Sequence, residues 1–157
     1  MTFKTLTGIF VLPFVPAVAV TLALSTGATS VSASSEGSRP LHVTKECSEY
    51  TGAAGSFCTI TSSNLARIKV GTRVYYDQPM NIPAGLLDSS VVLDAGNGNR
   101  AVGRCTLDLT TGLGICTFSD GTGKFAGFDA RVQVSPPTPE DPLNWHWEGT
   151  YSFSPLD

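Results

Sequence analysis

The sequence predicts an all-β fold, an antiparallel, closed β-barrel of about eight strands. Short runs rich in β-branched and aromatic residues recur every eight to twelve positions and are separated by turn residues. Within several of these runs apolar and polar residues alternate, so that each strand has one apolar face. No long stretch has helical periodicity. A closed barrel lets all these faces cover one core without leaving a free sheet edge.

The N-terminus has the pattern of a secretory signal peptide. Lys4 is the only charged residue before Glu36, an apolar stretch follows it, and Val31 and Ala33 are small residues of the kind that signal peptidase recognises. We therefore expect a signal peptide over residues 1–33, cleaved after Ala33, and a secreted protein. The alternative is a retained membrane anchor, because an apolar stretch of about 18 residues nearly spans a bilayer.

One domain is expected to remain after cleavage. Residues 34–40 have the composition of a flexible leader, and residues 41–157 are enough to form a single core. Lys4 is the one basic residue lost, so the formal charge of the remaining chain is −4, from 9 basic and 13 acidic residues. An acidic chain with dispersed basic residues argues against nucleic acid or an anionic membrane as a partner. Nothing in the sequence indicates an oligomeric state.

The strands follow from the β-rich runs between turns. The predicted strands at 66–70 and 72–78 are either two strands or one strand that bends at Gly71 between them. Prolines make 78–88 a loop, or a single helical turn at Pro83–Leu87, and make 136–142 an exposed hairpin loop. The predicted strands lie near 41–50, 56–62, 66–70, 72–78, 89–95, 100–110, 114–119, 125–135 and 144–153.

The four cysteines form two pairs of equal spacing. Cys47 precedes Cys58 by eleven residues, and Cys105 precedes Cys116 by the same number. Folding each segment about its centre places its two cysteines directly opposite, close enough for a disulfide. Four cysteines allow three connectivities, and we favour the two local disulfides in an exported chain. The CxxC spacing of zinc sites and thiol–disulfide catalysts does not occur, and we expect neither a metal site nor a cofactor.

The glycine-rich segment DGTGKFAG, residues 120–127, resembles a phosphate-binding loop only superficially. Such a loop requires a following helix whose amide groups face the phosphate. Here a strand pattern follows, FAGFDARVQV. We therefore predict a β-hairpin turn in which Gly121 and Gly123 supply the unusual backbone angles.

Alternation also selects a candidate lining for the barrel interior. In 144–153 the two tryptophans and Tyr151 share one side, and His146 and Glu148 share the other. If the tryptophans face the core, the histidine–glutamate pair faces solvent and cannot shuttle a proton within a cavity. The residues that we expect to line a cavity for a small apolar ligand are Tyr76, Phe128, Trp145, Trp147 and Tyr151.

Two groups of polar residues have an ambiguous position. Lys45 and Glu49 alternate with apolar residues on the face expected to be buried, so they either line a cavity or cap the barrel mouth, and we prefer the mouth. Arg73, Tyr75 and Asp77 form either an exposed strand face or a polar anchor inside the barrel. His42 has no evident partner in the sequence, and two isolated histidines make a metal site improbable.

The second half of the chain resembles a known family. The cysteine hairpin, GTGKFAGF, the alternating strand and WHWEGTYSF, together Cys105–Phe153, are similar to bacterial secreted proteins with an allene oxide cyclase barrel-like domain, a group related to plant dirigent proteins. The resemblance implies an eight-stranded antiparallel barrel of the calycin or allene oxide cyclase type, with an apolar cavity. It also implies a protein that steers a reactive small molecule, as a cyclase or as a non-oxidising template. No motif in 41–78 matches the family's catalytic carboxylate or its water-holding residues.

The sequence therefore predicts a secreted, disulfide-linked barrel that binds a small apolar molecule in its interior. One alternative is an enzyme, a cyclase or isomerase that controls ring closure or stereochemistry through shape and one or two polar groups. The other is an extracellular module without a ligand that acts through its loops. The GxSxG motif of hydrolases is absent.

Overall fold

The computed structural model describes residues 37–154, which form a closed barrel. Every strand pairs antiparallel with the next along the chain, and the first pairs with the last. The fold class predicted from the sequence is confirmed. The strands are β1 (Arg39–Glu46), β2 (Phe57–Ser63), β3 (Arg73–Tyr76), β4 (Leu86–Asp94), β5 (Arg100–Asp108), β6 (Gly114–Thr122), β7 (Phe128–Ser135) and β8 (Asn144–Phe153).

The predicted signal peptide and the first part of the predicted leader lie outside the described residues. The end of that leader is part of the barrel, since β1 begins at Arg39 and pairs with β8 from its first residue. No helix within residues 37–154 has the length and apolar character required to cross a membrane.

The segment between β2 and β3 differs from the sequence prediction. The predicted strand at 66–70 is wrong, because this segment folds into turns that place Leu65 and Ile68 in the core. The amide of Ile68 donates to the carbonyl of Leu65, and that of Thr72 donates to the carbonyl of Lys69. Three-residue spacing of the buried side chains fits a turn and not the two-residue alternation of a strand.

The two segments predicted as turns are confirmed with shifted boundaries. The helical turn expected at Pro83–Leu87 is a 3₁₀ turn at Ile82–Ala84, and β4 starts directly after it. Gly85 ends the turn with φ of 66°, a conformation that glycine adopts without strain. The glycine-rich segment connects β6 to β7 through a 3₁₀ turn at Gly123–Phe125, so that a strand and not a long helix follows it. Gly123 has the predicted positive φ, 58°, but the same prediction for Gly121 is wrong, because Gly121 lies within the extended strand β6.

Apolar side chains fill the barrel along the alternating face of each strand. In β7, Phe128, Ala130, Val132 and Val134 are buried, and the residues between them are exposed. Aromatic rings occupy the end of the barrel where β1 begins and β8 ends. The ring centroids there are 5.2 to 6.3 Å apart for the pairs Phe118–Phe128, Phe125–Phe128, Phe128–Tyr151 and Phe128–Phe153.

Both predicted local disulfides are present. Cys105 and Cys116 face each other across β5 and β6, and Cys47 reaches Cys58 at the start of β2. By the chain-entropy model each bond stabilises the fold by about 3 kcal/mol, because it restricts the unfolded chain. The two disulfides lie at the end of the barrel opposite the aromatic cluster.

Candidate functional site

A cavity lies at the disulfide end of the barrel, where β1, β3, β5 and β7 end. Its volume is about 60 Å³. Its wall is mostly hydrocarbon, aromatic and disulfide surface. The lining side chains that carry nitrogen or oxygen are those of one lysine, two tyrosines, one threonine and one tryptophan. The lining consists of Lys45, Cys47, Tyr50, Cys58, Tyr76, Leu87, Cys105, Thr106, Leu107, Cys116, Val134 and Trp145.

The loops at this end are in contact with one another around the opening. The amide of Met80 donates to the carbonyl of Gly52, which joins the β1–β2 and β3–β4 loops. The amide of Leu109 donates to the carbonyl of Gly85, which joins the β3–β4 loop to the β5–β6 turn. Gly112 of that turn packs closely against Pro136 of the β7–β8 loop. These contacts connect all four loops around the opening.

Lys45 extends into this cavity from β1. The alternation of β1 turns its side chain inward in line with Leu41 and Val43, and only 3% of the residue is exposed. The amine donates a hydrogen bond to the hydroxyl of Tyr76, and it lies 3.9 Å from Sγ of Cys58.

The rings of Trp147 and Tyr76 lie beside the same amine. Nζ of Lys45 is 4.9 Å from the centroid of the Trp147 ring and 5.1 Å from that of Tyr76. In residues 37–154, the ion pairs of the structure involve other residues, and no carboxylate lies within 4.0 Å of this amine. The positive form of Lys45 is therefore stabilised by ring faces and one hydroxyl, and not by an anion.

Burial alters the protonation of both polar groups at the inner wall. Removal from water lowers the pKa of the Lys45 amine from 10.5 to about 7. Burial raises the pKa of the Tyr76 hydroxyl, and the nearby Tyr50 raises it further. Near neutral pH a large fraction of the amine is thus unprotonated, and Tyr76 keeps its proton. The pair combines a nucleophilic or basic amine with a weak acid.

The five residues predicted to line the interior are divided between two places. Tyr76 and Trp145 line the cavity. Trp147 is fully buried and reaches the site through its ring beneath the Lys45 amine. Phe128 and Tyr151 lie in the aromatic cluster at the far end of the barrel. The structure therefore brings three of the five together around Lys45, and their role in binding stays a prediction.

The prediction that Lys45 caps the barrel mouth is wrong, because the residue is buried and only 3% exposed. It lines the cavity, whereas Glu49 is exposed on the β1–β2 loop. The polar face of β3 is on the outside, where Arg73 stacks on the ring of Phe57 at 4.7 Å and Asp77 is exposed.

The histidines belong to the barrel exterior and its rim. Glu148 pairs with His42 across β1 and β8, so the expectation that His42 lacks a partner is wrong. His146 lies 3.7 Å from Asp141 and not beside Glu148. Among the described residues no group of three or more histidine, cysteine or acidic side chains is placed to hold a metal ion.

Sequence reasoning missed part of the wall. Tyr50 lies three residues after Cys47, and the disulfide to Cys58 folds this short segment back over the barrel end. The short spacing between Cys47 and Cys58 was the signal that could have identified Tyr50. A short loop that is closed by a disulfide has to lie across the ends of the strands that it joins, and Tyr50 is in this loop. Leu87 and Leu107 carried no comparable signal, since their alternation is that of any core residue.

The chemistry at this site is defined by a buried amine, a buried phenol and an apolar wall. Each of the three groups comes from the barrel strands or from a loop closed by a disulfide. In comparisons with protein-family models, with curated proteins and with solved structures, the chain has no match.

Proposed function

We propose that this protein is a secreted barrel that binds a small, largely apolar molecule at its open end. The observation that carries the proposal is the cavity at the disulfide end of the barrel, below called the mouth cavity, whose wall is apolar except for a few polar groups, among them the buried amine of Lys45. Transfer of apolar ligand surface into such a wall is favourable by roughly 25 cal/mol per Å². A hydrogen-bond acceptor on the ligand would accept a hydrogen bond from the amine of Lys45, which would fix the orientation of the bound molecule.

The cavity limits the size of the part that enters. Its 60 Å³ is well below the ~150 Å³ of an engineered cavity that takes up benzene. A short chain or a small head group therefore enters, and the rest of the ligand lies between the half-buried Tyr50, Leu107 and Trp145 at the opening.

Two further observations support this proposal. Disulfides persist in oxidising compartments, and the chain has two of them. The segment Cys105–Phe153 also resembles barrels that take a reactive small molecule into an apolar interior. A resemblance of this kind supports a ligand class and not a particular reaction.

Isomerisation or ring closure of the bound molecule is a second candidate function. The adjacent amine of Lys45 and hydroxyl of Tyr76 favour it, because a base and a weak acid at one wall can move a proton between two atoms of a ligand. This candidate requires the same cavity and differs only in what happens after binding.

Ligand-observed NMR with hexan-1-ol tests the binding function. Saturation transfer from the folded protein to hexan-1-ol is expected for the wild type and for Leu113→Trp, because Leu113 is an exposed residue of the β5–β6 turn that does not line the cavity. It should be lost in Leu107→Trp, whose larger ring occupies the opening. Circular dichroism establishes that both variants are folded. Equal transfer in the two variants would show that hexan-1-ol binds elsewhere and would contradict the proposal.

A further inference from the structure

We propose that the ligand of this barrel is an aldehyde or a ketone and that Lys45 captures it reversibly as an imine. The inference rests on the proposed function, because the carbonyl compound has to enter the mouth cavity before it meets the amine. Beyond binding, the inference specifies the chemical class of the ligand and a covalent bond from the ligand to Nζ of Lys45.

The surroundings of Lys45 distinguish it from a structural lysine. A buried lysine that stabilises a fold is normally paired with a carboxylate. In the described part of the chain the hydrogen-bonding neighbours of this amine are the Tyr76 hydroxyl and Sγ of Cys58. Lys45 is also one of the residues that line the cavity. A carbonyl carbon that enters this cavity therefore meets a nucleophile that no anion holds in the charged form.

The reaction requires no cofactor. The lone pair of neutral Nζ attacks the carbonyl carbon, the C–N bond forms, and the carbonyl oxygen becomes the hydroxyl of a carbinolamine after a proton moves to it from nitrogen. Loss of this hydroxyl requires one more proton, which the Tyr76 hydroxyl is placed to donate. The departing water carries the oxygen, the C=N bond forms, and the remaining nitrogen proton returns to Tyr76. One carbonyl compound and one amine give one imine and one water, with no oxidation or reduction.

Three properties of the site favour this product. Burial keeps much of the amine unprotonated near neutral pH, which is the reactive form. The small apolar cavity leaves little room for the water that would hydrolyse the imine. The Trp147 ring, 4.9 Å from Nζ, stabilises the positive iminium that forms during the reaction.

The chain provides its own comparison lysines. Lys69 and Lys124 are exposed and lie outside the cavity. Imines at these two positions form in bulk water, where hydrolysis returns the free amine. Selectivity for Lys45 is thus a property of the cavity and not of lysine in general.

Reductive trapping with hexanal tests the inference. The folded, oxidised protein is treated with less than one equivalent of hexanal and with cyanoborohydride at neutral pH, and the modified lysine is located by peptide mapping. We expect Lys45 to be at least ten times more modified than Lys69 or Lys124. Excess hexan-1-ol, which has no carbonyl group, should lower the modification of Lys45 alone. Tyr76→Phe should slow trapping at Lys45 several-fold and leave the slower modification of Lys69 and Lys124 unchanged.

The outcomes separate the inference from the proposed function. Binding of hexan-1-ol without preferential modification of Lys45 overturns the imine and leaves the binding function intact. Equal modification of all three lysines, unaffected by hexan-1-ol, overturns it as well. Failure of hexan-1-ol and hexanal to bind overturns both. Because wild-type protein alone gives these results, they do not depend on whether a Lys45 variant folds.

Discussion

Replacement of Lys45 by methionine should stabilise the barrel at neutral pH and below. Methionine has a similar length and no charge, so it fills the same space without an amine that has to be removed from water. In the wild type the amine is 3% exposed and has no carboxylate partner in the described part of the chain. Its protonation therefore opposes folding. The gain in free energy of unfolding from Lys45→Met should depend on pH, because the pKa of Lys45 differs between the folded and the unfolded chain.

The sign and size of this dependence follow from the change in pKa. The pKa of Lys45 is 10.5 in the unfolded chain and about 7 in the folded protein. Between these values the unfolded chain holds a proton that the folded protein has lost, so the free energy of unfolding rises with pH. Each unit corresponds to about 1.4 kcal/mol. From pH 7 to pH 10 the wild type should gain roughly 4 kcal/mol from this group, and Lys45→Met should gain none of it.

Denaturant unfolding with the disulfides intact measures this difference. The free energy of unfolding is determined for both proteins at intervals from about pH 6 to about pH 10, and the difference between them is plotted. Groups common to both proteins cancel in this difference. Measurement ends near pH 10, because burial raises the pKa of Tyr76 from 10.0 and this group lowers the stability of both proteins at higher pH.

The control for this experiment is Lys69→Met, which changes an exposed lysine. The difference in free energy of unfolding between this variant and the wild type should not vary with pH. We expect the stability advantage of Lys45→Met to be largest at low pH and to close toward pH 10. A difference that is constant over the range, or a less stable Lys45→Met at pH 6, would refute the view that a desolvated, unpaired amine lies in this cavity.

Three further changes test the framework around the site. Trp147→Ala should lower the free energy of unfolding by about 3–5 kcal/mol, measured by denaturant titration, because the ring is fully buried. Gly149→Ala should lower the melting temperature strongly, since an added Cβ would lie 2.0 Å from a backbone oxygen, and Gly37→Ala, with nothing within 4 Å, should not. Replacing both Cys105 and Cys116 by alanine should cost about 3 kcal/mol, and non-reducing peptide mapping of the wild type should recover this disulfide.

Alternation predicted the face of each side chain but not its depth along the barrel. Trp145 and Tyr151 are on the same side of β8, yet Trp145 lines the mouth and Tyr151 packs at the opposite end. A two-residue period is the same at every position of a strand, so it contains no information about distance from the opening. The disulfides were predictable because a fixed spacing across a turn determines both partners.

The burial of Lys45 was beyond sequence reasoning for a related reason. Its inward direction followed from the pattern of β1, but its exposure depends on whether another segment covers the barrel end. That cover is the β1–β2 loop, which the disulfide from Cys47 to Cys58 holds across the opening and which contributes Tyr50 to the wall. The general amphipathic nature of lysine favours a position with its amine in water. Tertiary structure prevents this here, because strands distant in sequence surround the amine.

The two ends of the barrel are stabilised in different ways, and the difference bears on function. One end is filled by aromatic rings, with the centroids of Phe125 and Phe153 lying 5.4 and 5.2 Å from that of Phe128. At the other end Cys58, Cys105 and Cys116 line the cavity themselves. A disulfide stabilises by restricting the unfolded chain and does not require the native space beside it to be filled. Cross-linking can therefore stabilise an open barrel end, which packed side chains would instead close. The cavity with the buried amine of Lys45, whose removal from water is unfavourable, lies at the end where disulfides fix the chain.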